Sequence, residues 1–222
     1  MILHIPNVLS QNQVKECREL LDKASWIDGK LTAGSQAVNV KSNLQLAEDS
    51  QLLAHLRQMI TQALKTNPLF VSAALPNHII SPFVNRYENS GAYGNHVDNS
   101  ILYDATVAKH YRTDVSCSLF FTDPHEYEGG EMVIEDTFGT HEVKLPAGDM
   151  ILYPSTSLHR VEPVTKGVRM VSFIWTQSMI RSAWKRSILF ELDNTIQSLR
   201  LKYGETQEAV NLSIHYHKLI QE

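Results

Sequence analysis

The sequence predicts an α+β chain, with helical segments at both ends and a central β sandwich, jelly roll or barrel between them. Three observations carry that expectation. Seven of the ten glycines fall between Gly91 and Gly167, and beyond Gly167 there is only Gly204 and no proline, so turns are concentrated in the middle. The middle also alternates short apolar runs with Gly, Pro and Asp turns, the pattern of many short strands. Both ends instead repeat apolar residues at helical spacing.

At the N-terminal end, Ser10 can cap a first helix, with Gln13 completing a capping box and Leu9 and Val14 spaced as a hydrophobic staple. Val14, Cys17, Leu20, Leu21 and Ala24 form its apolar stripe. A second helix is predicted over about 49–66, with Leu52, Leu53, Leu56, Met59, Ile60, Ala63 and Leu64 inward and Asn67-Pro68 as its stop. Strands are predicted at 79–87, 115–122, 131–135, 141–145, 150–153, 159–164 and 168–176, separated by turns such as Asp123-Pro124, Gly129-Gly130, Gly148-Asp149 and Lys166-Gly167. The tail predicts two helices. Ile180, Trp184, Ile188, Leu192, Ile196 and Leu199 line the first; Ala209, Leu212, Ile214, Leu219 and Ile220 line the second, after Gly204. These stripes suit packing against the core or against a second subunit, as in a homodimer.

Composition narrows the function classes. The 222 residues carry 20 Lys+Arg against 24 Asp+Glu, a formal net charge of −4, and 43% hydrophobic residues. That excludes a disordered tail protein and a polybasic nucleic-acid binder. No apolar run reaches the roughly 18 residues needed to span a bilayer. The opening Met1-Ile2-Leu3-His4-Ile5-Pro6 has neither a basic n-region nor an apolar h-region, so no secretory signal is expected. The two cysteines, Cys17 and Cys117, sit in apolar patterns and read as buried thiols of a cytoplasmic protein. With ten histidines against two cysteines, a metal site here would be built from His and carboxylate.

The sharpest local feature is His96-Val97-Asp98. In a strand, residues i and i+2 share a face, so imidazole and carboxylate can hold one ion together. Ten His and ten Asp in 222 residues give about half such a motif by chance, so the pair means little alone. Sixty-one residues on comes His159, after the turn Pro154-Ser155-Thr156-Ser157, and ten residues later Arg169 in the next strand. Two His and one carboxylate, with the remaining positions open, is the ligand set of non-haem Fe(II) oxygenases. Arg169 adds a planar fork suited to the far carboxylate of an anionic cosubstrate.

Arg86-Tyr87, Gly91, Tyr93, His96-x-Asp98, Gly129-Gly130-Glu131, Gly148-Asp149, Leu158-His159-x-Val161, Pro163-Val164 and Gly167-x-Arg169 together resemble the Fe(II)- and 2-oxoglutarate-dependent dioxygenases, and among them the bacterial prolyl/lysyl-hydroxylase-like (PKHD-type) branch. The motifs cover roughly residues 78–177. The resemblance implies a double-stranded β-helix (jelly roll) with iron inside one end. His96, Asp98 and His159 would be its ligands, Arg169 would bind the 2-oxoglutarate C5 carboxylate, and Tyr87 would hydrogen-bond the cosubstrate or serve as a core aromatic. It implies hydroxylation of an unactivated C–H bond with dioxygen, releasing succinate and carbon dioxide. L-ascorbate is the reductant associated with the family. The substrate would be a peptidyl prolyl- or lysyl-like side chain or a small molecule, and bacterial relatives link the branch to iron uptake. Three parts follow: 1–77, helical and packed on the core; 78–177, the dioxygenase domain; and 178–222, a helical extension.

Other readings carry less. The alternatives are a cupin-like metal enzyme without 2-oxoglutarate, or a non-catalytic iron or 2-oxoglutarate sensor. The connection 99–114 is long for such a fold and carries Asn99, Tyr103, His110, Tyr111 and Arg112. It reads either as a substrate-contacting lid or as a solvated loop. His125-Glu126-x-Glu128 reads as a hairpin loop. His215-x-His217, two apart on a helix, does not share a face. No nucleophile elbow, Walker loop or G-x-G-x-x-G is present.

Overall fold

The computed structural model describes residues 1–32, 37–137 and 139–222. Among these residues, two antiparallel sheets form the body. The larger one runs Leu3–Ile5, Met150–Pro154, Val115–Phe120, Arg169–Ser178, Phe83–Tyr87, Leu44–Leu46 and Trp26–Asp28, with Pro76–Ile79 also pairing along Arg169–Ser178. The smaller runs Gly139–Val143, Met132–Asp136, His159–Val161, Ala92–His96 and Lys41–Ser42. This is the α+β jelly roll that the sequence predicts.

Strand alternation divides the interior into two cores. In Val115–Phe120, paired on both edges and buried throughout, Val115, Cys117 and Leu119 join a core that includes Leu53, Leu56, Ile60 and Phe70 from the helical layer. Phe120 belongs to a second core with Tyr87, Ile151, Tyr153 and Val171 of the larger sheet and Met132, Ile134 and Val161 of the smaller. The helical layer is α1 (Gln11–Leu21), α2 (Gln51–Thr66) and α3 (Pro68–Ala74). The Ser10 capping box is present: Gln13 N donates to Ser10 Oγ at 3.4 Å and Ser10 N to Gln13 Oε1 at 2.9 Å.

Several expectations change. The N-terminal part is not only helical, because four of its short strands extend both sheets; at two or three residues each they are too short to show alternation. Asn67-Pro68 ends α2, yet it also starts α3, where Asn67 Oδ1 caps Phe70 N at 2.9 Å and Pro68 takes the first turn. The strand predicted at 79–87 falls on two strands separated by Ile80-Ser81-Pro82, and 159–164 also divides. The 99–114 connection is a β-hairpin, Ile101–Asp104 paired with Lys109–Arg112.

In the tail, α4 (Ala183–Tyr203) and α5 (Gln207–Gln221) form a helical hairpin. The buried face of α4 is Arg186, Leu189, Phe190 and Ile196, whereas Trp184, expected inward, is 69% exposed. An arginine displaces the apolar stripe. Arg186, 4% exposed, donates to the carbonyls of Ile180 at 2.7 Å, Arg181 at 3.0 Å and Asp114 at 3.0 Å. These carbonyls bind α4 to the end of the larger sheet. Arg186→Met keeps most of the volume and leaves three carbonyls without this donor. It should lower stability by about 2–3 kcal/mol, read from urea unfolding, with amide exchange accelerated first in α4 and α5.

Candidate metal centre

The smaller sheet brings two distant histidines side by side. Ala92–His96 and His159–Val161 pair antiparallel with His96 opposite His159, and the ring centroids are 4.1 Å apart. Each Nδ1 is tied to a nearby backbone carbonyl, His96 to Gly94 at 2.8 Å and His159 to Ser157 at 3.0 Å. Taken as Nδ1–H donors, the rings present Nε2 to the interior. Tyr93 stacks on His96 at 3.6 Å between centroids, and the Tyr153 hydroxyl lies 3.3 Å from His159 Nε2.

Asp98 completes the cluster by a different route from the one the sequence suggests. The strand ends at His96, so Asp98 is not held on its face by strand alternation. Ser116, from the larger sheet, donates to Asp98 Oδ2 at 2.6 Å. The other oxygen, Oδ1, stands 3.9 Å from His159 Nε2. One ligand atom from each of His96, Asp98 and His159 lies within 4.8 Å of the others. Two neutral imidazoles and one carboxylate, with room around them, can hold a divalent ion and leave coordination positions open.

Arg169 lies in the same cavity, and its guanidinium is almost wholly buried, at 1% exposure. It sits 5.2 Å from the ring centres of both Tyr87 and Phe120. Its Nε and Nη1 find no hydrogen-bond partner among the described residues. Gly130 makes the space for it: a Cβ there would lie 3.1 Å from Arg169 Cδ and 2.7 Å from Val164 Cγ2, at a φ of +68°. A buried cation with orphaned donors is costly unless an anion arrives, so the arrangement suits a ligand carboxylate. Tyr87 lies opposite Arg169 across the strands. Its hydroxyl accepts from Asn85 Nδ2 at 3.3 Å. Burial pushes the phenol pKa up, partly offset by Arg169.

The cavity, of about 170 Å³, is lined by all three cluster residues, by Tyr87 and Arg169, and by Asn99 and Tyr103 from the predicted set. Arg112 is a correction. It clamps Asp114 through Nε at 2.6 Å and Nη2 at 2.8 Å, and donates to the Ser178 carbonyl at 3.2 Å, so it secures the base of the hairpin rather than lining the cavity. The hairpin is fixed at its other end by Asp104, which pairs with His78 at 2.9 Å and accepts from Thr106 Oγ1 at 2.6 Å, while His78 stacks on Tyr111 at 3.7 Å. Sequence reasoning did not single out Lys41, Asn85, Ser116, Phe83, Phe173 or Trp175, all of which line the cavity. Ser116 carried a weak signal, as one of two serines alternating with apolar residues in Val115–Phe120; Lys41 had none.

Residues 82–177 match the 2OG-Fe(II) oxygenase superfamily, and residues 184–222 match the C-terminal domain of PKHD-type hydroxylases. A PKHD-type hydroxylase of Aliarcobacter butzleri is 78% identical over 222 residues, covering 100% of this chain and 98% of the relative. One from Acinetobacter baylyi is 52% identical with the same coverage. Among solved structures, a Pseudomonas putida prolyl-4-hydroxylase superposes with a TM-score of 0.53 at 17% identity, over 79% of this chain and 92% of that one; this likeness is one of fold.

Burial, reinforced by the neighbouring His159, holds the His96 imidazole down to about 4, against 6.5 for a free histidine. Between those values the unfolded chain binds the proton more tightly than the folded one. The contribution is therefore present above pH 6.5 and lost as pH falls towards 4. The unfolding free energy of metal-free protein, read from urea titrations, should fall across that window by an amount on the order of 3 kcal/mol. His96→Gln should flatten the dependence.

Proposed function

The chain belongs to the PKHD-type hydroxylases of the 2OG-Fe(II) oxygenase superfamily, and on that premise we propose how its residues carry the reaction. The family implies Fe(II), 2-oxoglutarate and dioxygen. In our reading His96, Asp98 and His159 hold the iron, Arg169 receives the C5 carboxylate of 2-oxoglutarate, and Tyr87 hydrogen-bonds the cosubstrate. The observation that carries this is the placement, in one cavity, of a compact His-Asp-His cluster and a buried guanidinium whose Nε and Nη1 lack a partner among the described residues. The donor set fits a ferrous ion, and the Gly130 cradle fits an arginine awaiting an anion.

When bound, iron and 2-oxoglutarate supply dioxygen activation coupled to decarboxylation, giving succinate, carbon dioxide and hydroxylation of an unactivated C–H bond. The chain supplies position and dryness. The Gly94 and Ser157 carbonyls orient the two imidazoles, and Ser116 holds one oxygen of Asp98 so that the other can face the ion. Phe120, Val171 and Tyr153 exclude water around the centre. Asn99 and Tyr103, flanking the cavity mouth, contact the substrate. Ascorbate would return oxidised iron to the ferrous state. Buried thiols at Cys17 and Cys117 suit the reducing cytoplasm. No helix among the described residues is long and apolar enough to cross a membrane. Residues 78–177 act as the catalytic unit in this scheme, with 1–77 and 178–222 as its supports.

Wild-type protein with Fe(II) should consume oxygen and convert 2-oxoglutarate to succinate, slowly even without substrate. Fully metallated protein that yields no succinate across a broad substrate screen would count against the assignment. Asp98→Ala should abolish Mn(II) binding followed by electron paramagnetic resonance; unchanged affinity would remove Asp98 from the ligand set. Arg169→Met should raise the 2-oxoglutarate concentration for half-maximal turnover by about 10- to 100-fold while metal binding persists. A cosubstrate requirement that stays put would take Arg169 out of that role.

A further inference from the structure

Tyr153 holds the nitrogen that the reaction scheme reserves for the ion. It lies near the end of the strand Met150–Pro154 in the larger sheet, and His159 opens the strand His159–Val161 in the smaller. Only residues 154–158 separate the two, so one turn carries both side chains from sheet to sheet. The turn is closed by Ser157 N, which donates to the Pro154 carbonyl at 3.0 Å, and is tied down by Ser155 Oγ, which donates to the Thr113 carbonyl. Across it the Tyr153 hydroxyl stands 3.3 Å from His159 Nε2. The ring centroids are 5.1 Å apart, with 64° between planes, and Tyr153 is 3% exposed.

The direction of that bond follows from the other ring nitrogen. A carbonyl oxygen only accepts, so the contact of His159 Nδ1 with the Ser157 carbonyl at 3.0 Å puts the imidazole proton on Nδ1. In the neutral ring Nε2 then carries a lone pair. The phenol keeps its proton at neutral pH and donates it there. His96 is held differently. Its ring meets Tyr93 face to face, with 13° between planes, and a stacked ring does not address a lone pair that lies in the imidazole plane.

Two effects of the Tyr153 bond on metal binding oppose each other. It helps to fix the His159 ring, which favours binding. It also occupies the lone pair that an ion needs, which disfavours binding. The first effect is small, because the ring is fixed without it: the Ser157 carbonyl holds Nδ1, strand pairing sets His159 opposite His96, and the residue is buried. The second costs one hydrogen bond inside the protein and leaves a buried hydroxyl to find another acceptor. Competition therefore wins. We propose that Tyr153 is a positioning residue that stands in for the metal: its hydroxyl caps His159 Nε2 in metal-free protein, and loading the site requires it to release that nitrogen. This rests on the reading of His159 as a metal ligand and adds a control on affinity built into the site.

The test titrates Mn(II) into full-length, metal-free protein without 2-oxoglutarate, with the free ion followed by electron paramagnetic resonance. Tyr153→Phe keeps the ring and removes the hydroxyl. It should bind Mn(II) about 3- to 10-fold more tightly than wild type. Tyr93→Phe removes a hydroxyl from the stacked ring and should stay within about two-fold of wild type. Damage to the site weakens binding, so a merely structural role does not produce the rise. Unchanged or weaker binding by Tyr153→Phe overturns the proposal, as does an equal rise in Tyr93→Phe. A second measurement needs no variant and decides the matter if Tyr153→Phe does not fold. In nitrogen-15-labelled, metal-free wild type, the His159 Nε2 resonance should lie upfield of an unbonded pyridine-type nitrogen, as for a lone pair that accepts a hydrogen bond; an unbonded position overturns the proposal. Wild type that binds no Mn(II) removes the metal reading and this proposal with it, whereas wild type that binds as tightly as Tyr153→Phe removes this proposal alone.

Discussion

The register that sets His96 opposite His159 is the constraint on which the rest of the structure depends. A slip of one residue would turn one imidazole away from the interior. The register is supported from both directions, since Ile134 pairs with His159 on its other side and Lys41 pairs with Tyr93 beside His96. Asp98 cannot be placed by that sheet alone, because its strand has ended. It is the hydroxyl of Ser116, reaching from the opposite sheet, that draws the carboxylate in. The cluster is thus a property of two sheets held at a fixed spacing, and the core of Phe120, Tyr153, Val171, Ile134 and Val161 sets that spacing.

Charge placement follows the same economy. Neutral imidazoles can be buried at little cost, and Asp98 is tolerated next to them because Ser116 satisfies one of its oxygens. Arg169 is the costly member, a cation withdrawn from water inside the cavity with Nε and Nη1 lacking a partner among the described residues. A buried cation that the fold itself does not fully match is more often kept for a ligand than for stability. That distinguishes it from Arg186 and Arg112, whose guanidinium groups are occupied by carbonyls and by Asp114 and whose work is structural.

Much of this was legible in the chain. Ser10 and Gln13 announce α1 through side-chain chemistry that acts within four residues, and the glycine-rich middle announces the sheets. The ordered residues from Arg86 to Arg169 pointed to the cluster and to the arginine at its floor. What stayed hidden depends on contacts between distant segments. Strands of two or three residues at the N-terminal end have no period to read, so Lys41 could not be placed beside Tyr93. Arg112 looked like a substrate contact by its position in a long connection, but Asp114, two residues on, claims its fork. In α4 the stripe holds at Ile196 but not in the first turns, where Trp184 is exposed because Arg186 finds carbonyls to satisfy it and takes a buried position that a hydropathy pattern reserves for leucine.

The strand Arg169–Ser178 turns alternate side chains to the cavity, so Arg169, Val171, Phe173 and Trp175 stand in one row. Strand geometry separates neighbours in that row by about 6.6 Å. The strand is in effect a ruler, anchored at one end by the guanidinium, with the intervals fixed by covalent geometry rather than by loop flexibility. Depth along it determines what a residue can affect. In the scheme proposed above, changes at 173 or 175 reshape the cavity two and three intervals away from Arg169, so selectivity and chemistry can diverge independently along a single stretch of polypeptide.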